Sequence, residues 1–235
     1  MARPADPHAR EALLVAASEA FARSSLLKAR IEDVTSAVSL SKGAFYLHFK
    51  TKEDAFRELL NRFVADLSEA QVQRMTRSQS FFRERGQLTA RDVKQNSARY
   101  RDLMHLEIEL DELTLELLWK HRPTLSTLLR GCGGTEFEGM LLAILEQEVK
   151  RIEEQCQELQ RTGCSRDDIP AGMVGEMIVG TYFLVAARMI GATEKPDLRA
   201  LANNLHRMIH EGLNPQEAPA KRAAASRKSS LRSHA

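Results

Sequence analysis

Between positions 7 and 23 the apolar residues Leu13, Leu14, Ala17, Ala20 and Phe21 recur at three- and four-residue steps. That spacing places them on one face of a helix. Over 31–38, Ile31, Val34 and Val38 share a face, and Glu32 and Asp33 sit in the first turn, where the helix dipole favours acid. Ser39-Leu40-Ser41 breaks the pattern. Ser41 has the chemistry of an N-cap for a third helix over 42–49, in which Phe45 and Phe49 lie four apart while Lys42, Ala44, Tyr46 and His48 fall elsewhere around the cylinder. Thr51 is the matching cap for a fourth helix, with Glu53 and Asp54 in its first turn and an apolar stripe of Ala55, Phe56, Leu59, Leu60, Phe63 and Leu67.

Past Leu67 the pattern loosens. Residues 68–91 are rich in Gln, Ser and Arg with a lone Gly86, which reads as a helix end, a loop and a short helix. Leu103, Leu106, Ile108, Leu110, Leu113, Leu117 and Leu118 predict one long helix over 92–120, ending before Pro123, and a short helix follows over 124–129. Gly131-Cys132-Gly133-Gly134 predicts a flexible loop. Phe137, Leu141, Ile144, Leu145, Val149 and Ile152 then mark a long helix to about 161, closed by Gly163. Residues 169–190 are apolar nearly all round and carry Gly172, Gly175 and Gly180, so burial on most faces is expected. Pro196 opens a last helix with a narrow seam of Leu198, Leu201, Leu205, Met208 and Ile209, closed by Gly212. The stretch beyond Asn214 is basic, rich in Ala and Ser, and short of large apolar residues, the composition of a disordered tail.

Composition agrees with an all-α chain: of 235 residues 43% are hydrophobic and 28% charged, and 12 Gly with 7 Pro are too few for a turn-rich sandwich or barrel. A net charge of +2 decides nothing about nucleic acid, so local distribution has to. The cysteines, Cys132, Cys156 and Cys164, are odd in number and lack C-x-x-C spacing. This argues against a disulfide framework and a zinc cluster, fits a reducing cytoplasm, and gives no reason to expect a metal or cofactor. The first residues lead into a charged helix instead of an apolar signal core. The uncharged stretch 177–187, between Glu176 and Arg188, falls short of the roughly twenty residues a span needs, and no membrane span is expected.

A short helix, a three-residue break and a second short helix, flanked by longer amphipathic helices, make up a helix-turn-helix unit whose third helix enters the major groove. Residues 31–56 resemble the N-terminal DNA-binding signature of the TetR family of bacterial regulators, chiefly through Ser41-Lys42-Gly43-Ala44-Phe45-Tyr46-Leu47-His48-Phe49 followed by Lys52-Glu53. The resemblance covers residues 10–60 and implies that Lys42, Gly43 and Ala44 face base edges while Tyr46, His48 and Lys52 grip flanking phosphates. The chemistry agrees: a lysine donates to guanine, a glycine admits close approach, and an alanine methyl meets a thymine methyl. Phe45 and Phe49 are core, and His48 either grips phosphate or packs against the first helix. Ser39 stands where a turn glycine is common, and Ala29-Arg30 replaces the usual threonine pair. Arg30 either takes over a backbone contact or stays solvated.

For the rest of the chain the resemblance implies a helical ligand-binding and dimerising domain. The expected division is 7–52 for DNA binding, 53–214 for effector binding and dimerisation, and 215–235 for the tail. Tyr100, Met104, His105, Trp119 and His121 form an aromatic and soft apolar set with polar handles, which either lines a small-molecule pocket or is simply core. His206 and His210 have the four-residue spacing of paired metal ligands but no third ligand. Cys132 is a candidate accessible thiol.

The expected function is a cytoplasmic regulator, in such families usually a repressor. It would bind a palindromic double-stranded DNA operator as a homodimer, built from helices 169–190 and 198–209, and answer to a small-molecule effector. An alternative is a non-specific architectural DNA binder using Lys221, Arg222, Arg227, Lys228 and Arg232. An enzyme would need Cys132 as nucleophile with His105 or His121 as base, in a chain without a Gly-rich phosphate loop or carboxylate pair.

Overall fold

The structure, a computed structural model, describes residues 7–213, which form ten helices. The first four are α1 (Pro7–Ser24), α2 (Ile31–Ala37), α3 (Lys42–Tyr46) and α4 (Lys52–Arg85). They are followed by α5 (Ala90–Lys94), α6 (Ala98–Lys120), α7 (Arg122–Arg130), α8 (Met140–Arg161), α9 (Ala171–Ile190) and α10 (Leu198–Leu213). The expected tail, 215–235, lies outside the described residues.

Leu13, Leu14 and Phe21 of α1, Leu26 of the following loop, Phe45 of α3 and Phe56 and Leu60 of α4 are no more than 2% exposed. The same cluster runs on through Leu117, Leu125, Leu128, Phe137 and Ala186, so the apolar core is continuous across residue 52. The residue 52/53 division itself falls in the first turn of α4.

Four expectations are corrected. The helix end expected after Leu67 does not occur, and α4 continues to Arg85, closed by Gly86 at φ 76°. Its second half lacks an apolar stripe because charged contacts hold it: Arg74 to Glu107 and Asp111, Arg77 to Glu109, and Arg85 to Asp102, all on α6. Residues 92–120 are two helices, because Asn96 takes a left-handed φ of 46° and Ser97 caps α6 by accepting from the Tyr100 amide at 3.2 Å. α3 stops at Tyr46, and Phe49 reaches the core through a final turn in which its amide donates to the Phe45 carbonyl. α9 is not covered on most faces, since Met173, Met177 and Leu184 are 52–63% exposed.

α9 is also, among the described residues, the one helix long and apolar enough to cross a membrane by length and composition. It packs against α8, with Gly172 facing Glu153 and Gly175 facing Val149, so the two helices run antiparallel. α10 instead lays Leu198, Ala202 and Leu205 against Ile108 and Leu115 of α6 and Met189 of α9, which occupies the seam expected at a subunit interface.

A Cβ at Gly175 would sit 2.8 Å from the Val149 carbonyl oxygen, a backbone atom that cannot swing aside. Gly175→Ala is expected to cost about 1–3 kcal/mol in urea unfolding through overpacking. Gly172→Ala, whose Cβ would meet only the Glu153 carboxylate at 3.5 Å, is expected to be neutral or stabilising through helix propensity. Equal effects at both positions would contradict the close α8–α9 approach.

Candidate nucleic-acid interface and the polar core of the helical domain

The turn between α2 and α3 is built from three local features. Leu40 donates its amide to Thr35 at 2.9 Å, Ser39 takes a left-handed φ of 54°, and Ser41 accepts from the Ala44 amide at 3.2 Å. Ser39 thus adopts the conformation that glycine enters without cost, a penalty of about 1 kcal/mol for an L-residue. Phe45 is fully buried with Phe49 tilted on it at 5.4 Å, which fixes the rotation of α3. Lys42, Gly43 and Tyr46 therefore face solvent, with Ala44 half-buried beside them. A Cβ at Gly43 would meet only Ser41 Oγ at 3.7 Å, so nothing inside the protein demands glycine there.

The flanking candidates divide. Arg30 stands exposed at the N-cap position of α2 in extended backbone, and its side chain makes no cap bond. His48 is half-buried, its ring tilted 6.3 Å from that of Phe49. Lys42 Nζ forms an ion pair with Glu32 of α2 at 2.6 Å, both side chains more than half exposed. Lys52 Nζ donates to the Leu27 carbonyl at 2.6 Å and the Ala29 carbonyl at 3.3 Å, tying the first turn of α4 to the loop before α2. The Lys42–Glu32 pair and the Lys52 ties join residues ten and more positions apart and have no signature in the sequence.

In the helical domain the five ligand candidates are spread along α6 and its end. Tyr100 is buried near the start of α6, His105 is exposed, and Trp119 carries Arg122 over its ring at 4.0 Å. His121 is buried against Phe63 and donates from Nε2 to the Asp66 carboxylate of α4 at 2.7 Å. Burial holds His121 below the ordinary histidine range, and Asp66 opposes that shift. Met104 belongs to a polar cluster that sequence reasoning missed. In it Arg74 of α4 meets Glu107 and Asp111, and Asp111 Oδ2 lies 3.1 Å from His206 Nδ1. His206 Nε2 lies 3.2 Å from Met104 Sδ, so both His206 ring nitrogens are engaged and neither is turned toward a ligand shared with His210. The His210 ring stacks on His206 at 3.9 Å, and the buried Tyr182 hydroxyl has no hydrogen-bond partner among the described residues. Burial pushes the Tyr182 hydroxyl well up, and the Asp111 charge adds to it.

Cys132, a candidate accessible thiol in the sequence, is buried. It is 3% exposed, and burial pushes its pKa up to about 11, which removes the thiolate a redox sensor needs.

Residues 13–59 match the family model described as bacterial regulatory proteins, tetR family. Several solved structures share the fold over nearly the whole of this chain. The ketosteroid transcriptional regulator KstR2 of Mycobacterium tuberculosis matches with a TM-score of 0.61 at 14% identity, over 91% of this chain and all of that one. The fatty acid degradation regulator FadR from Bacillus halodurans matches at 0.57 and 18%, over 86% and 98%. NalD, the secondary repressor of the MexAB-OprM multidrug efflux pump in Pseudomonas aeruginosa, matches at 0.54 and 18%, over 88% and 97%. At such identities these likenesses are of fold. Residues 13–59, which hold the helix-turn-helix head, are thus similar to the DNA-binding segment of the tetR family of bacterial regulatory proteins, and the rest of the described chain shares the fold of such regulators.

Burial, with repulsion from His206, pushes His210 down to about 3, against an ordinary value of 6.5. The unfolded chain therefore takes up a proton on this residue below about pH 6.5 and the folded one does not until about pH 3. Stability is fully present above that window and falls with pH inside it, by up to about 1.4 kcal/mol per unit. Urea unfolding between pH 7.5 and pH 5 is expected to show a shallower loss in His210→Asn than in the parent chain. Parallel curves would show His210 to be solvated.

Proposed function

We propose that this chain is a TetR-family transcriptional regulator, a cytoplasmic repressor that binds a palindromic double-stranded operator as a homodimer and is released by a small-molecule effector. The observation that carries the reading is the exposed row of Lys42, Gly43 and Tyr46 on a helix whose rotation is locked by buried Phe45. Such a row meets base edges with Lys42, Gly43 and Ala44, while Arg30, Tyr46, His48 and Lys52 lie toward the phosphates. Residues 7–52 form the reading head in this account, and 53–214 the effector-binding and dimerising part.

A homodimer is favoured by the apolar surface left on α8 and α9. Leu142, Leu159, Met173, Met177 and Leu184 are all at least 46% exposed, and Gly180 opens on empty space where a partner helix can approach. The interface is accordingly assigned to α8 and α9, which pair into a four-helix contact about a two-fold axis. The effector is assigned to the helical domain, where Met104 borders the Arg74–Asp111–His206 cluster and α4 leads from that cluster to the reading head. Tyr100, His105, Trp119 and His121 remain its candidate neighbours along α6. Release then follows from differential binding to two arrangements of the same helices.

Selection of bound DNA from a random pool is expected to return a palindrome. Lys42→Ala should cost about 1–3 kcal/mol on that site and relax one base per half-site. Lys52→Ala should weaken all sequences together, lower the salt slope by about one per subunit, and cost about 0.5–1.5 kcal/mol of folding stability through the lost carbonyl contacts. A pool that returns no preferred sequence would favour an architectural DNA binder instead.

Sedimentation at micromolar concentration is expected to give a dimer for the parent chain. Met177→Glu, solvated in a single chain and buried in the proposed interface, should give a monomer of unchanged helicity. A monomeric parent chain would refute the dimer.

A further inference from the structure

The end of α1 and the loop after it meet the C-terminal ends of α7 and α9 around an open cleft of about 510 Å³. Arg23 and Lys28 line it from the reading head and Arg130 from α7, with Ser24, Ser25 and Ser126 between them and no carboxylate in its walls. Elsewhere the cations of this chain are extensively paired, as in the Arg10–Glu58, Arg62–Glu11 and Arg199–Glu112 contacts. Among the described residues the side chains of Arg23, Lys28 and Arg130 have neither an ion pair nor a hydrogen bond.

Basic residues in a last helical turn ordinarily serve its free carbonyls. Here backbone amides already do so: Ser25 donates to Phe21, Gly131 to Thr127, and Gly191 to Arg188, while the Gly131 carbonyl accepts from Leu26 at 3.0 Å. The three side chains are left over. Ser126 stands beside them. It is 7% exposed and lines the same wall, and whereas its neighbour Thr127 returns its hydroxyl to the Pro123 carbonyl at 3.0 Å, the Ser126 hydroxyl has no hydrogen-bond partner among the described residues. A hydroxyl at the wall of a cationic cleft can donate to an anion.

We propose that this cleft is an anion site that takes the phosphate groups of a small molecule, with Arg130, Arg23 and Lys28 supplying charge and Ser126 a neutral donor. Several unmatched cations around one opening suit a multiply charged phosphate better than a single carboxylate. The floor is rigid, because a Cβ at Gly131 would come within 3.1 Å of the Thr127 carbonyl and 3.3 Å of Ser25 Cα. The two sides of the cleft therefore meet backbone to backbone, and an anion held between them touches both the reading head and the helical domain.

The test uses the full chain without DNA, titrated calorimetrically with inorganic pyrophosphate at constant ionic strength. Saturable binding at one site per chain is expected. Arg130→Gln and Lys28→Gln, both at exposed positions, should each weaken it by about tenfold, with helicity unchanged by circular dichroism. Arg161→Gln, an exposed cation on α8 paired with Glu158, should leave binding unaltered. Absence of saturable binding, or equal affinities in the parent chain and Arg130→Gln, overturns the site. A parallel titration with random-sequence duplex separates the remaining source of phosphate. If Arg130→Gln and Lys28→Gln lose duplex affinity and keep pyrophosphate affinity, the cations serve the DNA backbone and the proposal fails. Because ligand binding is read without DNA, failure of the operator reading leaves this result standing, and the reverse also holds.

Discussion

Phe56 lies between two aromatic rings that belong to different parts of the chain. It meets Phe21 of α1 edge-on at 6.0 Å and Phe137, from the segment before α8, edge-on at 4.9 Å, and it is itself fully buried. Every ring in this stack is held by another element: α1 packs on α2, α2 on α3, and Phe45 of α3 closes the other side of the cluster. Removing such a ring costs about 3–5 kcal/mol, a large share of the stability of a domain this size. The same contact that completes the three-helix head also fastens it to the helical domain. The head is therefore not a bead on a linker.

α4 extends that constraint. As a single helix of 34 residues it runs for about 50 Å at 1.5 Å per residue. One end carries the Thr51–Asp54 capping box and the Lys52 contacts to the loop before α2, and the region beyond mid-length carries Arg74 in its carboxylate cluster. A rearrangement around Arg74 thus moves a rigid element whose other end sets the position of the reading head. The Lys42–Glu32 pair does not resist such a movement, because an exposed pair of this kind is worth no more than about 1 kcal/mol. It fixes the Lys42 side chain only weakly and leaves its ammonium group easy to exchange to another acceptor.

The reading head was legible in the sequence because its information is local. Ser41 and Thr51 announce their caps within three residues, and Phe45 and Phe49 fix the buried side of the third helix, which leaves Lys42, Gly43 and Tyr46 outside. The second half of α4 was illegible for the opposite reason: its partners, Glu107, Asp111 and Glu109, lie some thirty residues away and replace the apolar stripe that periodicity looks for. Cys132 failed similarly. Its glycine neighbours read as a mobile loop, but Gly131 is a point of close packing against Ser25, and that contact carries the thiol into the core. The cationic cleft has no sequence signal, since Arg23, Lys28 and Arg130 meet only when α1 docks on α7.

Hydropathy named two apolar helices near the end of the described chain but not what each one covers. α10 carries a narrow seam of Leu198, Ala202 and Leu205, and α6 supplies a matching strip in Ile108 and Leu115. α6 also meets α9 at Met189. α9 meets α8 through Gly175 and Val149 along one edge while Met173, Met177 and Leu184 stay exposed. An apolar face of this size is unusual on a lone soluble chain. Which helix remains uncovered depends on which elements the chain path brings against each one, a matter of topology that no amphipathic pattern within α9 encodes.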